Sequence, residues 1–151
     1  MVVLRSYSYY EHIRTLEAPV PKPPTDNDFA RAAALREALR RFQRTSDDVT
    51  AAHGLTSRTY QLLLMIKTAR RGTGRAGLGE LEDRLQLGKS TVTELVLRAE
   101  KRGLVRRDLD RERPGAIAVR LTPAGERCAR RVLAELGDER RRLVDLLAHL
   151  R

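Results

Sequence analysis

The sequence predicts a mostly helical α+β fold: a helix-turn-helix that runs into a two-stranded hairpin, with a long amphipathic helix on either side. Three observations predict it. Residues 78–122 read in order as helix, three-residue turn, helix, strand, charged hairpin and strand. Residues 28–50 and 124–150 carry apolar side chains at helical spacing. The 151 residues are 41% apolar and 33% charged, the balance of one globular unit with a moderate core rather than of a disordered chain.

Residues 1–27 read as an arm and linker. Tyr10, Ile13 and Leu16 have the spacing of a short helix, and Tyr7, Tyr9 and Tyr10 make the arm tyrosine-rich. Residues 18–24, with four prolines, read as an extended polyproline-like segment. The helix over 28–50 places Phe29, Ala32, Leu35, Leu39, Phe42 and Val49 on one side, with Asp26 or Asp28 as its cap. A further helix spans 58–71. Residues 72–77, Gly-Thr-Gly-Arg-Ala-Gly, match a dinucleotide fingerprint in letters alone; they follow a helix rather than a strand, so they read as an interhelical loop.

Next come two short helices. Leu81 and Leu85 face inward from the first, with Leu87 closing the pattern. After Gly88 the second carries Val92, Leu95, Val96 and Ala99 at i, i+3, i+4 and i+7, a single apolar stripe. Its other face presents Lys89, Ser90, Thr91, Thr93, Glu94, Leu97, Arg98 and Lys101. Short hydroxyls and long cations at a helix start suit phosphate oxygens and base edges. Lys101-Arg102-Gly103 ends the helix, with cations in the last turn and a glycine stop. Leu104-Val105 begins a strand, and Ile117 to Leu121 alternates as its antiparallel partner. The intervening arginines, aspartates and Pro114-Gly115 mark a hairpin tip, on which Arg111 and Arg113 are placed to reach a minor groove. This is the order of a winged helix-turn-helix, a device that lays one helix in the major groove of double-stranded DNA.

Taken together, these residues resemble the MarR family of bacterial regulators. The resemblance covers roughly residues 28–150. Its marks are Glu80-Leu81 and Arg84-Leu85, Ser90-Thr91-Val92, Lys101 to Val105, the Asp- and Arg-rich wing, and Leu121-Thr122-Pro123-Ala124-Gly125. Upstream, Gly54-Leu55-Thr56 followed by Tyr60, Leu62, Leu63, Leu64 and Ile66 is similar to the family's second helix. The wing of that family carries an Asp-Arg pair near its tip. Counting back from Leu121, those positions hold Arg113 and Pro114, which leaves Arg111 and Arg113 as the two candidates for the groove-probing arginine. Glu94 also stands where a basic or polar residue is common; it is placed to accept from a cytosine amino group or to pair with Arg98.

The two flanking helices carry more apolar stripe than the small reading lobe of residues 55–122 can cover, so a symmetric dimer is expected. The resemblance implies the same, with both ends of the chain (28–53 and 124–151) in the interface. Phe29, Leu35, Leu39, Val132, Leu136, Leu143, Leu147 and Leu150 are the interface candidates, and Gly137-Asp138 is a point where the second helix can kink or split. Two lobes about 34–36 Å apart read an inverted repeat. The resemblance further implies a transcriptional regulator, most often a repressor, released by a small aromatic or phenolic effector.

Charge agrees. Thirty Lys and Arg against twenty Asp and Glu leave a net +10, which favours a polyanionic partner. Aromatics at 4% argue against a stacking surface for single strands. No 18-residue apolar run and no secretory leader are visible, and a lone cysteine fits a reducing cytoplasm. The histidines His12, His53 and His149 are scattered, so no metal and no cofactor is expected. Cys128, on an apolar stripe, reads as a small core residue rather than a peroxide sensor. No acid/base or nucleophile constellation points to an enzyme. The competing readings are an architectural DNA-binding protein with little sequence preference, and an adaptor whose exposed helix docks a protein.

Overall fold

The computed structural model describes residues 22–149. The expected arm helix near Tyr10, the remaining residues up to 21, and Leu150 lie outside the described residues. Residues 22–25 have no regular structure.

Helix α1 spans Asp26–Ala52. Its cap is Thr25 rather than either aspartate. The Thr25 hydroxyl accepts from the Asp28 N–H at 3.3 Å, while the Asp28 carboxylate accepts from the Thr25 N–H at 2.7 Å. Each side chain satisfies an amide that the helix itself leaves open. Helix α2, Ser57–Lys67, is capped by Thr56. It stops four residues earlier than the apolar pattern suggests, because Thr68 leaves helical geometry and its hydroxyl donates to the Leu64 carbonyl. A one-turn helix α3, Ala69–Gly72, follows.

The loop expected at 72–77 contributes a strand. Ala76–Gly77, β1, pairs antiparallel with β3, Ile117–Leu121, which also pairs with β2, Val105–Leu109. The sheet is therefore three-stranded, in the order β1-β3-β2, and not the two-stranded wing expected. Two residues without branched side chains carry no periodicity to read; burial of Ala76 opposite Val119 decides the pairing. Between β1 and β2 lie α4, Leu78–Leu85, and α5, Lys89–Lys101, separated by the anticipated three-residue turn.

The C-terminal stretch divides at Leu136 into α6, Pro123–Glu135, and α7, Gly137–His149. The start of α6 explains the Leu-Thr-Pro-Ala-Gly motif. Thr122 caps the helix by accepting from the Gly125 N–H at 3.0 Å, and its hydroxyl donates to the Gly103 carbonyl at 2.5 Å. Pro123 occupies the first turn, where its missing N–H costs nothing. Gly125 is required by proximity: a Cβ there would sit 1.9 Å from the Leu104 carbonyl oxygen.

One core joins these parts around α2. Leu62, Leu63 and Ile66 are buried against Leu81 of α4, Val92 and Val96 of α5, Val105 and Val119 of the sheet, and Val132 of α6. Each such side chain contributes about 1.5–3 kcal/mol by leaving water. Cys128 packs, half-buried, on the edge of this core. By contrast α7 packs chiefly on α1 and buries none of its residues fully.

Candidate nucleic-acid interface

The apolar stripe of α5 holds that helix with a fixed side outward. Val92, Leu95, Val96 and Ala99 enter the core, as their spacing predicts. Lys89, Ser90, Glu94, Leu97, Arg98 and Lys101 are exposed, and Thr91 and Thr93 are half-buried at the edge. Among the described residues nothing covers this face. Glu94 and Arg98, one turn apart, form an ion pair. Leu97 is 43% exposed in the middle of the face, an apolar contact surface of the kind that meets a thymine methyl.

Helix starts differ across the molecule. The helices α1, α2 and α6 each begin with a threonine whose side chain accepts a backbone N–H. In α4 and α5 the corresponding residues are Gly77 and Gly88, which provide no side-chain acceptor. Among the described residues no side chain caps their first-turn amides, and the dipole at a helix start favours an anion.

The wing stands beside this face. Arg111 and Arg113 are exposed and make no ion pair among the described residues. Arg113 and Lys89 line one open cleft of about 930 Å³ between the wing and the helix-turn-helix, together with the acids Glu80, Glu82 and Asp83. The sequence reading missed what holds the wing in place. At its base Glu100 of α5 accepts from the Arg107 N–H at 3.2 Å and from its Nε at 2.8 Å. Near its tip Asp110 is buried and forms a two-pronged ion pair with Arg70 of α3. The Arg70 guanidinium, aided by the Glu112 N–H, holds the Asp110 carboxyl well below the usual carboxylate range. The wing's anchoring carboxylate is Asp110, three residues ahead of Arg113.

The dimer candidates divide into two groups. Phe29, Leu39 and Leu147 are exposed, Phe29 at 66%, while Leu35 and Leu143 are half-buried on the same two helices. Val132 and Leu136 are 0% and 3% exposed inside the chain's own core, so neither is available to a second chain. Their positions on α6 and at its end belong to the packing of that helix on α2. Exposed Val144, which the sequence reading did not include, lies with Leu147 on α7.

A second cleft, of about 870 Å³, lies where α1, the start of α2 and α5 converge, lined by Asp47, Ser57, Arg58, Thr91, Arg98 and other residues. Among the described residues no three His, Cys, Asp or Glu side chains come together as a metal site, and no helix is long and apolar enough to cross a membrane.

No protein-family model matches the chain, and no curated protein matches it. Solved structures do. The chain is similar to AbsC, a MarR family transcriptional regulator from Streptomyces coelicolor, with a TM-score of 0.69 and 22% identity, over 83% of this chain and 84% of that one. It is similar to a MarR family protein from Bacillus stearothermophilus, with a TM-score of 0.66 and 25% identity, over 83% of each chain. A second Streptomyces coelicolor MarR family regulator, solved in complex with DNA, matches with a TM-score of 0.67 and 24% identity, over 83% of this chain and 78% of that one. The chain has the winged-helix fold of these MarR family structures.

Proposed function

We propose that this chain is a transcriptional regulator of the MarR type that binds double-stranded DNA as a homodimer, in the cytoplasm, on an inverted-repeat operator. The observation that carries the reading is the exposed outer face of α5, flanked by a wing whose exposed Arg111 and Arg113 make no ion pair among the described residues. Ser90, Thr91, Thr93 and Glu94 are assigned to base edges in the major groove. Lys89, Arg98 and Lys101 are assigned to phosphates, together with the open amides at the starts of α4 and α5. Arg111 and Arg113 are assigned to the minor groove. Residues 28–53 and α7 serve as the pairing helices, with Phe29, Leu35, Leu39, Leu143 and Leu147 between the twins, and 55–122 together with α6 form the reading lobe.

Regulation is proposed as repression relieved by a small aromatic or phenolic effector. Supporting this, the 870 Å³ cleft is lined by residues of α1 and of α5 at once, with Arg58, Arg98 and Arg102 set against Asp47 and Glu94. A ligand there touches both the pairing helix and the reading helix. It shifts DNA affinity only insofar as it binds one lobe arrangement better than the other.

Footprinting on the DNA upstream of the protein's own reading frame, with and without phenolic acids, tests the proposal. The expected result is a protected inverted repeat bound at least a hundredfold more tightly than random duplex. Equal affinity for all duplexes, within about tenfold, replaces this reading with that of an architectural protein.

A further inference from the structure

The tip of the wing has almost nothing apolar to hold it. The last pair of the β2–β3 ladder is Leu109 with Ile117, and these two side chains are 75% and 37% exposed. Residues 110–116 extend beyond that pair, closed on themselves by the Asp110 N–H to the Ala116 carbonyl at 2.8 Å. A hairpin without packing on its faces is marginal and swings freely in water. Yet Asp110, in this tip, is buried.

Arg70 lies against it. The guanidinium of Arg70 donates to both carboxylate oxygens of Asp110, through Nη1 at 3.0 Å and through Nη2, and Nη1 also lies 3.4 Å from Glu112 Oε2. The same carboxylate accepts from the Glu112 N–H at 3.0 Å, which bends the chain around it and leaves Arg111 outside the turn. Such a fork fixes direction as well as distance, because both N–H bonds must align with one planar carboxylate. Arg70 is itself held. Its backbone has φ +44°, a left-handed conformation unusual for a non-glycine residue, and its N–H donates to Glu80 Oε1 of α4 at 3.0 Å. A continuous polar path therefore runs from the first helix of the helix-turn-helix, through a strained α3 residue, to the wing tip. Among the described residues the other side-chain tie between the tip end of the hairpin and the body is Arg75 Nη2 to the Leu109 carbonyl, at 3.4 Å.

We infer that Arg70 is the positioning residue of the wing: by clamping Asp110 it aims Arg111 and Arg113 at the minor groove, without touching DNA itself. The inference rests on the DNA-binding reading above. Arg70 is poorly placed to be a phosphate contact, since its guanidinium is 19% exposed and engaged by two carboxylates. It acts through the wing arginines, so its effect must vanish when they are gone.

The test is a double-mutant cycle on the full-length chain. Arg70→Gln is made alone and in an Arg111→Ala, Arg113→Ala background, with Asp110→Asn as a second way to open the clamp. Binding to a duplex carrying the footprinted repeat is followed against salt, and amide exchange is measured without DNA. Arg70→Gln alone is expected to weaken binding at least tenfold. It should also reduce the slope of log K against log salt by about 1.8, since two phosphate-proximal cations each contribute about 0.9. In the background lacking the wing arginines it is expected to change affinity less than twofold. Amides of Asp110 and Ala116 lose protection in both clamp variants, while those of Leu62 to Ile66 keep theirs.

An equal loss of affinity in both backgrounds overturns the inference, as does unchanged exchange at the tip. Should Arg70→Gln expose the Leu62 to Ile66 amides, the same cycle run with Asp110→Asn decides it. If the unaltered protein binds no duplex, the regulator reading fails, and the exchange arm separately decides whether Arg70 clamps the wing.

Discussion

At the scale of single residues, the most exacting position is Gly125. Three Leu104 backbone atoms lie within 3.2 Å of where a Cβ would be, and backbone cannot move aside as a side-chain tip can. Gly125→Ala should therefore lower stability by about 1–3 kcal/mol, the cost of overpacking, read as a lower urea midpoint with unchanged slope. Glu94 offers a second test. It neutralises Arg98 in the free protein, although an exposed pair of this kind is worth little to stability. Glu94→Gln should leave the melting temperature within a degree or two. It should raise affinity for random duplex and steepen the salt dependence by up to about 0.9, as one more cation faces phosphate. A flat response in the binding titration removes Arg98 from the phosphate-facing set.

At the scale of elements, the wing and α5 were unequally legible in the sequence. The 13 residues of α5 span several turns, so its apolar stripe and its outward face could be read with correct membership. The tip of the wing could not. Alternation marks β2 and β3 but does not fix how many residues lie between them, so it does not single out Asp110. Nor does any local pattern join Arg70 to a carboxylate 40 positions away. β1 was invisible for a related reason, since its two residues pair only because α4 returns the chain to β3. The clamp makes a prediction of its own with pH. Asp110 is held below its ordinary value, so its contribution is complete above the free carboxyl's pKa of about 3.9 and declines as pH falls from there toward the folded value. Exchange at Ala116, corrected for the intrinsic pH dependence, should be steady from pH 7 to about 5 and accelerate only below the free carboxyl's pKa. Acceleration near neutral pH contradicts the clamp. Removing Arg111 and Arg113 together should weaken duplex binding without altering the melting temperature.

At the scale of the molecule, the two terminal helices α1 and α7 leave Phe29, Leu39, Val144 and Leu147 in water. Proteins seldom keep such a surface uncovered. Sedimentation equilibrium should return twice the 17.1 kDa chain mass, and Leu39→Asp with Leu147→Asp should return the single-chain value while losing cooperative binding to the repeat. A wild-type monomer at micromolar concentration contradicts the pairing proposal.

The break at Leu136 gives this arrangement an unusual sensitivity to chain length. One non-helical residue joins α6, which belongs to the lobe, to α7, which belongs to α1. Each residue of an α-helix advances the azimuth by about 100°, so inserting a single alanine after Gly137 puts α7 out of phase and swings Leu143 and Leu147 off the side they share with the exposed leucines of α1. A variant with that one insertion keeps every side chain of the wild type and loses the seam, whereas substitutions along the same segment should be absorbed one at a time. Indels, rather than point changes, are what this joint does not tolerate.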